Sequence, residues 1–346
     1  MGKQTYTVRF EPVGVEMQVE EGEFVLNAAF RQGIMLMHGC KEGQCSSCKS
    51  VLMEGDIELL KYSTFALPDY ERGQDYVLLC RTQAYSDLVI ELLNYDEELL
   101  LNSLPVKEYS ARISAIEALT HDIRRLELEL NQPMKFRAGQ YVDLTIPGSG
   151  VTRSFSMANA PSAQQRLEFI IKVYPEGAFS SLLRDQLKVG ASIELKGPYG
   201  TCFRREDSSG MLILVGGGSG MAPLWSILQD HLANGDRRRP VLFLYGARSE
   251  RDLFYLDQLA AIQAERPQVR FVPSLSQLAA DSIWNGEQGF IHEVLGRYLQ
   301  EGPQSSELEA YTCGPPPMID AVVPVLERNR VKSDRIHVDR FTQAVR

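Results

Sequence analysis

The sequence lacks any apolar run approaching the ~20 residues that a membrane helix needs. It also lacks a basic excess: 36 Lys+Arg stand against 45 Asp+Glu, a formal net charge of −9. The first absence argues against a membrane-spanning chain. The second argues against a nucleic-acid binder, which carries a basic footprint. The opening Met1-Gly2-Lys3-Gln4-Thr5 runs straight into an alternating strand pattern, with no secretory signal visible, so the expected location is the cytoplasm. Nor is the composition that of a disordered chain, at 44% hydrophobic and 23% charged residues. The 346 residues leave room for two or three domains. The acidic excess is local: residues 1–97 hold 16 Asp+Glu and 8 Lys+Arg, while the other 249 hold 29 and 28. Such a field can orient a protein partner, and it also serves solubility.

What is present is a cysteine pattern. Four of the six cysteines lie in the acidic segment, as Cys40-x4-Cys45-x2-Cys48 followed after 31 residues by Cys80. This is the spacing of plant-type two-iron ferredoxins. A tight loop brings three thiolates together, a distant strand supplies the fourth, and Gly39 and Gly43 let the loop backbone curl toward the inorganic sulfides. A zinc site usually takes two close Cys pairs, and Cys80 has no near partner. Disulfides are disfavoured without an export signal. Rieske centres need two His, so His38 reads as a neighbour of the cluster. Tyr6, Val8 and Phe10 alternate with polar residues, as do Val15, Met17 and Val19. Leu26, Ala29 and Phe30 give one helical face stopped by Gly33, and Val77–Cys80 and Leu88–Ile90 read as buried strands. The expectation is a β-grasp ferredoxin over residues 1–97.

Residues 94–108 are polar and acidic and read as a linker, drawn at 98–107. Over 108–206 come alternating strands at 125–130, 140–146, 166–174 and 191–195, interrupted by one helical stretch, Phe179 to Leu187. This suggests an antiparallel barrel. Two short motifs sit in it. Arg153-Ser154-Phe155-Ser156 puts a guanidinium and an aromatic on one strand face and two hydroxyls on the other. Gly177-Ala178-Phe179-Ser180 opens the helix, where a close-approaching glycine suits a phosphate.

From Met211 the period changes to apolar strand, glycine turn, helix. Met211–Val215 leads into Gly216-Gly217-Gly218-Ser219-Gly220-Met221-Ala222-Pro223 and an amphipathic helix. Strands at 241–245, 269–272 and 310–313 alternate with further helices. The reading is a doubly wound parallel α/β domain over 207–346. The glycine turn departs from the standard dinucleotide fingerprint, since Met221 stands where Gly or Ala is needed and no acidic residue closes the second strand. Cys313-Gly314-Pro315 follows a later strand, at the edge where such sheets bind ligands.

In this order the three segments resemble an oxygenase reductase: ferredoxin, flavin barrel, then a nicotinamide domain of the ferredoxin–NADP reductase superfamily. The flavin motif Arg-x-Tyr-Ser is matched at 153–156, Gly-x-x-Ser at 177–180, the glycine turn at 217–223, Cys-Gly-Pro-x-x-Met at 313–318, and acid-x-Phe at Asp339-Arg340-Phe341. Two positions depart from the pattern, Phe155 for Tyr and Asp339 for Glu. The chain is most similar to reductase components of soluble di-iron monooxygenases, through His38–Lys49, Tyr62–Pro68, Leu78–Thr82 and Trp284–Gly289.

The resemblance implies one 2Fe-2S cluster on Cys40, Cys45, Cys48 and Cys80. It implies FAD on Arg153, Ser154, Phe155, Ser156, Gly177, Ala178, Phe179 and Ser180. NADH would meet Gly217, Gly218, Ser219, Gly220, Pro223, Cys313, Gly314 and Pro315. Ser156, Cys313 and Phe341 would serve hydride transfer, with Phe341 covering the flavin until nicotinamide displaces it. The expected partner is the hydroxylase component of a di-iron monooxygenase, docking transiently on the ferredoxin module, and the reductase itself is expected to be a monomer. A Rieske dioxygenase reductase is the alternative within the family, and a non-catalytic iron–sulfur carrier the alternative of another class. The stretch Pro273–Ser282 holds no Lys or Arg, and Asp281 and Glu287 would repel a 2′-phosphate, which favours NADH. Arg248 is the residue that could reverse this.

Overall fold

The computed structural model describes residues 4–205, 210–279, 282–301 and 307–341. The chain divides into two compact units, residues 1–107 and 108–346.

In the first unit, β1 (Thr5–Glu11) and β2 (Val15–Glu20) form a hairpin, followed by α1 (Val25–Arg31). Beyond the cysteine loop come β3 (Lys49–Glu54), β4 (Ile57–Leu59), α2 (Asp69–Arg72), β5 (Tyr76–Leu78), β6 (Thr82–Ala84), β7 (Leu88–Leu92) and α3 (Glu97–Asn102). The sheet runs β2-β1-β7-β3-β5, with β1 and β7 parallel and the other neighbours antiparallel. This is a β-grasp. The alternation of the sequence becomes its buried face: Val8, Phe10, Met17 and Val19 lie under α1, whose Leu26, Ala29 and Phe30 are buried.

Two expectations need correction here. Cys80 is not carried by a strand, because β5 stops at Leu78 and the cysteine sits in the turn that follows. The stretch read as a linker holds α3. Asp96 caps it by accepting from Leu99 N at 3.1 Å, and Leu99 and Leu100 are buried. Its acidic residues mask the leucines that dock it. Val106 N then donates to Phe30 O at 3.0 Å, so the stretch packs on its own unit.

The second unit opens with the longest strand, β8 (Lys107–Ala118), which the sequence reading overlooked although Tyr109, Ala111 and Ile113 alternate into the core. It is followed by β9 (Ile123–Leu130), β10 (Tyr141–Ile146), β11 (Val151–Ser156), β12 (Arg166–Lys172), α4 (Ala178–Asp185) and β13 (Ser192–Tyr199). The order β11-β10-β13-β8-β9-β12 closes on itself through the Met157–Phe169 bridge, giving an antiparallel barrel.

The chain then forms β14 (Leu212–Gly217), α5 (Met221–Asn234), β15 (Val241–Ala247), α6 (Leu256–Glu265), β16 (Val269–Leu275), β17 (Glu287–Gln288), α7 (Ile291–Glu301), β18 (Glu309–Gly314), α8 (Pro316–Arg328) and β19 (Ile336–Arg340). All neighbours in the order β17-β16-β15-β14-β18-β19 are parallel. The strand order reverses between β14 and β18, and the crevice at their carboxyl ends is the ligand position of such sheets. Central strands β14 and β18 are buried along their length; β14 meets this with an unbroken apolar run, whereas β18 also buries Glu309 and Thr312. Among the described residues no helix is long and apolar enough to cross a membrane.

Candidate functional site

The cysteine loop fills residues 34–48, which form neither helix nor strand. Its amides turn onto sulfur. Gln44 N and Glu42 N donate to Cys40 Sγ at 3.2 and 3.4 Å, and Cys40 N donates to Cys45 Sγ at 3.4 Å. A Cβ at Gly39 would lie 3.0 Å from Ser47 Oγ and 3.1 Å from Cys45 Sγ, so a side chain there would press on the sulfur. Segment 62–67 braces the loop: Ser63 N donates to Gly43 O at 2.9 Å and Ser46 Oγ to Ala66 O at 3.1 Å. The next residue but one from Ser63, Phe65, is 94% exposed.

The four thiols associate as two pairs. A hydrogen bond from Cys40 holds Cys45 down at about 4, and the Cys40 thiol is correspondingly pushed up. In the same way Cys80 lowers Cys48 and is itself raised. Among the described residues the one trio of His, Cys, Asp or Glu whose ligand atoms all lie within 4.8 Å is His121, Asp122 and Asp252, so no three of the sulfurs converge on a single point. A lone zinc holds all four sulfurs about 3.8 Å apart. Two separate pairs suit two metals with two thiolates each, and the donor set fits a two-iron cluster. His38 Nδ1 is engaged 2.8 Å from Leu36 O, and its ring packs edge-on against Phe30.

On the barrel, the register pairs Arg153 with Leu144 and Phe155 with Val142, while Ser154 and Ser156 pair with Asp143 and Tyr141. Cross-strand partners share a face, so guanidinium and ring lie on one side and the hydroxyls on the other. Phe155 packs on Phe179 of α4 with ring centroids 4.8 Å apart, which ties the first motif to the second. At the start of α4, a Cβ on Gly177 would fall 2.3 Å from Ser180 Oγ. Ser180 Oγ accepts from Tyr174 N at 3.1 Å, fixing the turn around the exposed helix N-terminus. Arg153 Nη1 donates to Thr152 O at 2.7 Å, and Ser154 Oγ to Asp143 Oδ1 at 2.5 Å. On the hydroxyl face, Tyr141 and Tyr199 stack at 5.5 Å.

On the nucleotide sheet, the glycine turn and the loop after β18 touch. A Cβ on Gly220 would lie 2.0 Å from Cys313 O, so only glycine lets the two loops close. Pro223 is buried in the first turn of α5, while Gly314 and Pro315 lead from β18 into α8. Cys313 is wholly buried with its Sγ 3.9 Å from that of Cys202, and burial holds its thiol well above the usual range. It is the backbone of Cys313 that faces the glycine turn.

The last strand joins barrel and sheet. Ser156 Oγ donates to Asp339 Oδ2 at 3.3 Å across 183 residues of sequence. Desolvation raises the Asp339 carboxyl to about 6, opposed by that hydrogen bond. Even with the shorter Asp, the carboxylate reaches Ser156. Phe341 N donates to Gly314 O at 2.9 Å, placing Phe341 beside the Cys313–Gly314 loop. Ser226 Oγ on α5 donates to Asn159 O at 2.7 Å and Gln229 Nε2 to Ala158 O at 3.0 Å, fastening the helix to the barrel just past Ser156.

Away from this junction, at the far end of β18, Arg239 Nη2 pairs with Glu309 Oε2 at 2.6 Å, both side chains 3% exposed. Tyr311 OH and His337 Nε2 approach the other carboxylate oxygen at 3.0 and 3.3 Å. Burial pushes Glu309 up, but the bonds from His337 and Arg239 outweigh it and hold the carboxyl at about 2.

Comparison with known proteins agrees with this layout. The family model for the 2Fe-2S iron–sulfur cluster binding domain matches residues 8–85, that for the oxidoreductase FAD-binding domain 110–203, and that for the oxidoreductase NAD-binding domain 214–323. The chain is 46% identical to the reductase component of propane 2-monooxygenase from Gordonia sp. (strain TY-5), covering 98% of this chain and 97% of that one. It is 39% identical to the phenol 2-monooxygenase reductase component DmpP of a Pseudomonas species, over 98% and 95%. Among solved structures it is similar to the Amycolatopsis reductase GcoB (TM-score 0.86, 30% identity, 97% and 99% covered). The ferredoxin reductase of carbazole 1,9a-dioxygenase gives a TM-score of 0.80 at 31% identity, with 99% and 100% covered. The chain is therefore an iron–sulfur flavoprotein oxidoreductase, and it belongs to the family of reductase components of multicomponent monooxygenases. Its cofactors are FAD, a 2Fe-2S cluster and a nicotinamide nucleotide.

The structure brings Ser156, Asp339, Phe341, Gly314 and the glycine turn to one junction, and ties the strand of Arg153 to the helix opened by Gly177 through the Phe155–Phe179 contact. Sequence reading missed Tyr245, whose hydroxyl reaches Gly218 O, and Cys202 beside Cys313. Tyr245 stands in Tyr245-Gly246-Ala247-Arg248, where the sequence draws notice to the missing acidic residue and to Arg248. A lone polar atom closing an otherwise apolar strand was the available signal.

Proposed function

We propose that this protein is the NADH-dependent reductase of a multicomponent hydrocarbon monooxygenase with a di-iron hydroxylase. The observation that carries the reading is the Ser156–Asp339 hydrogen bond. It sets the strand of the flavin motif against the loops of the nucleotide sheet, where hydride must cross. In chain order the modules are a ferredoxin at 1–97, a segment at 98–107 that continues α3 and packs on the same unit, a flavin barrel at 108–206 and a nicotinamide domain at 207–346. The boundary at 206/207 lies outside the described residues.

Bound at these residues, FAD would supply the exchange between two-electron hydride and one-electron cluster chemistry, which is the cofactors' own. The chain's part is placement. Arg153 and the start of α4 at Gly177–Ser180, with Ala178 and Phe179 in its first turn, hold the flavin phosphates. Phe155 packs against the ring system, and Ser154 fixes Asp143 at the strand edge. Ser156 keeps its hydroxyl proton directed at Asp339. Gly217, Gly218, Ser219, Gly220 and Pro223 receive the nucleotide pyrophosphate. Cys313, Gly314 and Pro315 shape the nicotinamide floor, with Cys313 acting through its backbone. Phe341 shields the flavin position from water. Cys40, Cys45, Cys48 and Cys80 ligate the cluster.

NADH is favoured over NADPH. Ser276 N donates to Ala247 O at 3.0 Å and Gln277 N to Arg248 O at 2.8 Å, so a segment without Lys or Arg lies beside the end of β15. Glu287 stays ionised, lowered chiefly by its hydrogen bond from Arg297. Asp281 lies outside the described residues. Arg248 is a single exposed cation, a poor clamp for a phosphate without a second donor.

The ferredoxin module docks on the hydroxylase through its acidic surface, with Phe65 exposed next to the braced cysteine loop. The protein works as a cytoplasmic monomer. A Rieske dioxygenase partner is the second reading, favoured by the likeness to the carbazole dioxygenase reductase.

Purified protein should contain one FAD and one two-iron cluster, show a higher kcat/KM for NADH than for NADPH, and support a di-iron hydroxylase. Zinc in place of iron, absence of flavin, equal or better use of NADPH, or support of a Rieske oxygenase alone would each overturn the corresponding part.

A further inference from the structure

Tyr245 sits toward the carboxyl end of β15, wholly buried, and its side chain is the polar end of an aromatic column. Trp225 of α5 packs on Tyr255 at 5.0 Å, Tyr255 on Phe254 at 5.2 Å, and Phe254 edge-on against Tyr245 at 5.7 Å. The column ends in one hydrogen bond: Tyr245 OH donates to Gly218 O at 3.0 Å. A buried tyrosine needs a partner for its hydroxyl, but this partner belongs to the glycine turn rather than to a neighbouring strand.

Gly218 has φ +58, a left-handed conformation that L side chains rarely adopt, and nothing lies within 4 Å of where its Cβ would be. Backbone strain, not crowding, therefore selects glycine here. Across a trans peptide the C=O and the next N–H point in opposite directions. Gly218 O also accepts from Met221 N in the single turn that opens α5, and Tyr245 OH is its second donor. With that carbonyl held inward, the Ser219 N–H turns outward at the head of the 14-residue helix α5, where amide donors meet an anion.

We propose that Tyr245 is a positioning residue for nucleotide binding: its hydroxyl locks the Gly218–Ser219 peptide so that the Ser219 amide is preset to receive the pyrophosphate of the dinucleotide. The proposal rests on the reading that the nucleotide binds at this turn. It goes further by assigning the turn's conformation to a residue that touches no ligand.

The test uses holoenzyme carrying Tyr245→Phe, which removes only the hydroxyl and keeps the column packed. Equilibrium titration with NAD+ and with ADP-ribose should show Kd raised about five-fold for both, the effect of one neutral hydrogen bond. Adenosine, which lacks the pyrophosphate, should bind as it does to the wild type. In steady state, KM for NADH should rise while kcat holds. Gly218→Ala should weaken NAD+ binding by a similar factor, and the double variant should be no weaker than the worse single one, because both substitutions release the same peptide. Unchanged Kd for ADP-ribose in Tyr245→Phe, an equal loss for adenosine, or simple additivity of the two substitutions would overturn the proposal. If wild-type protein itself binds neither NAD+ nor ADP-ribose, it is the underlying reading that fails.

Discussion

The two units solve the problem of building a redox site in opposite ways. In the first, three of the four cysteines proposed as ligands lie in a nine-residue stretch, Cys40 to Cys48, and the loop's own amides point at the sulfurs. In the second, the corresponding site is assembled from a barrel strand, a helix start, two sheet loops and a terminal strand, with Ser156 and Asp339 183 residues apart. A metal cluster has short bonds and fixed geometry, so its protein ligands are local and few. A flavin and a dinucleotide are long, and hydride transfer needs two ring systems held face to face. That demands a junction between two folded layers. The local site is expected to fail all-or-none, and the distributed one by degrees.

The sharpest test of that contrast is Cys80→Ser. It should abolish the cluster and all electron delivery to the hydroxylase, yet leave NADH-dependent reduction of ferricyanide through the flavin near the wild-type rate. Iron and sulfide analysis with stopped-flow flavin bleaching checks both halves, and loss of flavin reduction would break the comparison.

Next in size is Gly220→Ala. Its Cβ would meet Cys313 O at 2.0 Å, forcing apart the two loops of the nucleotide crevice. Flavin reduction by NADH should fall roughly 100-fold, with the cluster spectrum intact.

Arg239→Met tests whether the second unit has a structural weak point away from its chemistry. It leaves Oε2 of the buried Glu309 without its ion pair, with only Tyr311 and His337 on the other oxygen, and should cost about 3 kcal/mol of stability in that unit. Denaturation followed by flavin fluorescence should shift, while the visible signal of the cluster should not. Because Glu309 is depressed to about 2, its contribution is present above the ordinary carboxylate range and fades as pH falls from about 4.5 toward 2.

Asp339 has the opposite sign. Its carboxyl is raised to about 6, so the folded state favours the protonated form, and ionisation erodes stability as pH climbs from about 4 through 6. Asp339→Asn should therefore raise Tm by a few degrees at pH 8, with the gain shrinking toward pH 4.5. A gain that grew on acidification would contradict the assignment.

The smallest expected effect is electrostatic. Raising salt should weaken coupled turnover with the hydroxylase several-fold and change ferricyanide reduction much less, because the proposed docking alone draws on the acidic field of residues 1–97. Equal sensitivity of the two reactions would remove the charge argument for docking.

Residue type and spacing alone carry the cysteine set, the strand alternation of the barrel and the apolar runs of the parallel sheet. Each is written in residue type at fixed spacing, through loop reach for Cys40, Cys45 and Cys48 and side-chain period for β9, β10, β12 and β14. The 94–108 stretch misleads, because burial of Leu99 and Leu100 depends on a surface that the local pattern does not show. The motifs at 153–156, 177–180 and 313–315 were legible as motifs, but not as one place. Only the tertiary structure decided that Ser156 meets Asp339, that the sulfur of Cys313 turns away toward Cys202 while its backbone closes on Gly220, and that Tyr245 reaches Gly218. These contacts join residues that share no period and no segment. They exist because a closed barrel and a twisted parallel sheet, each folded for its own core, present those atoms to one another.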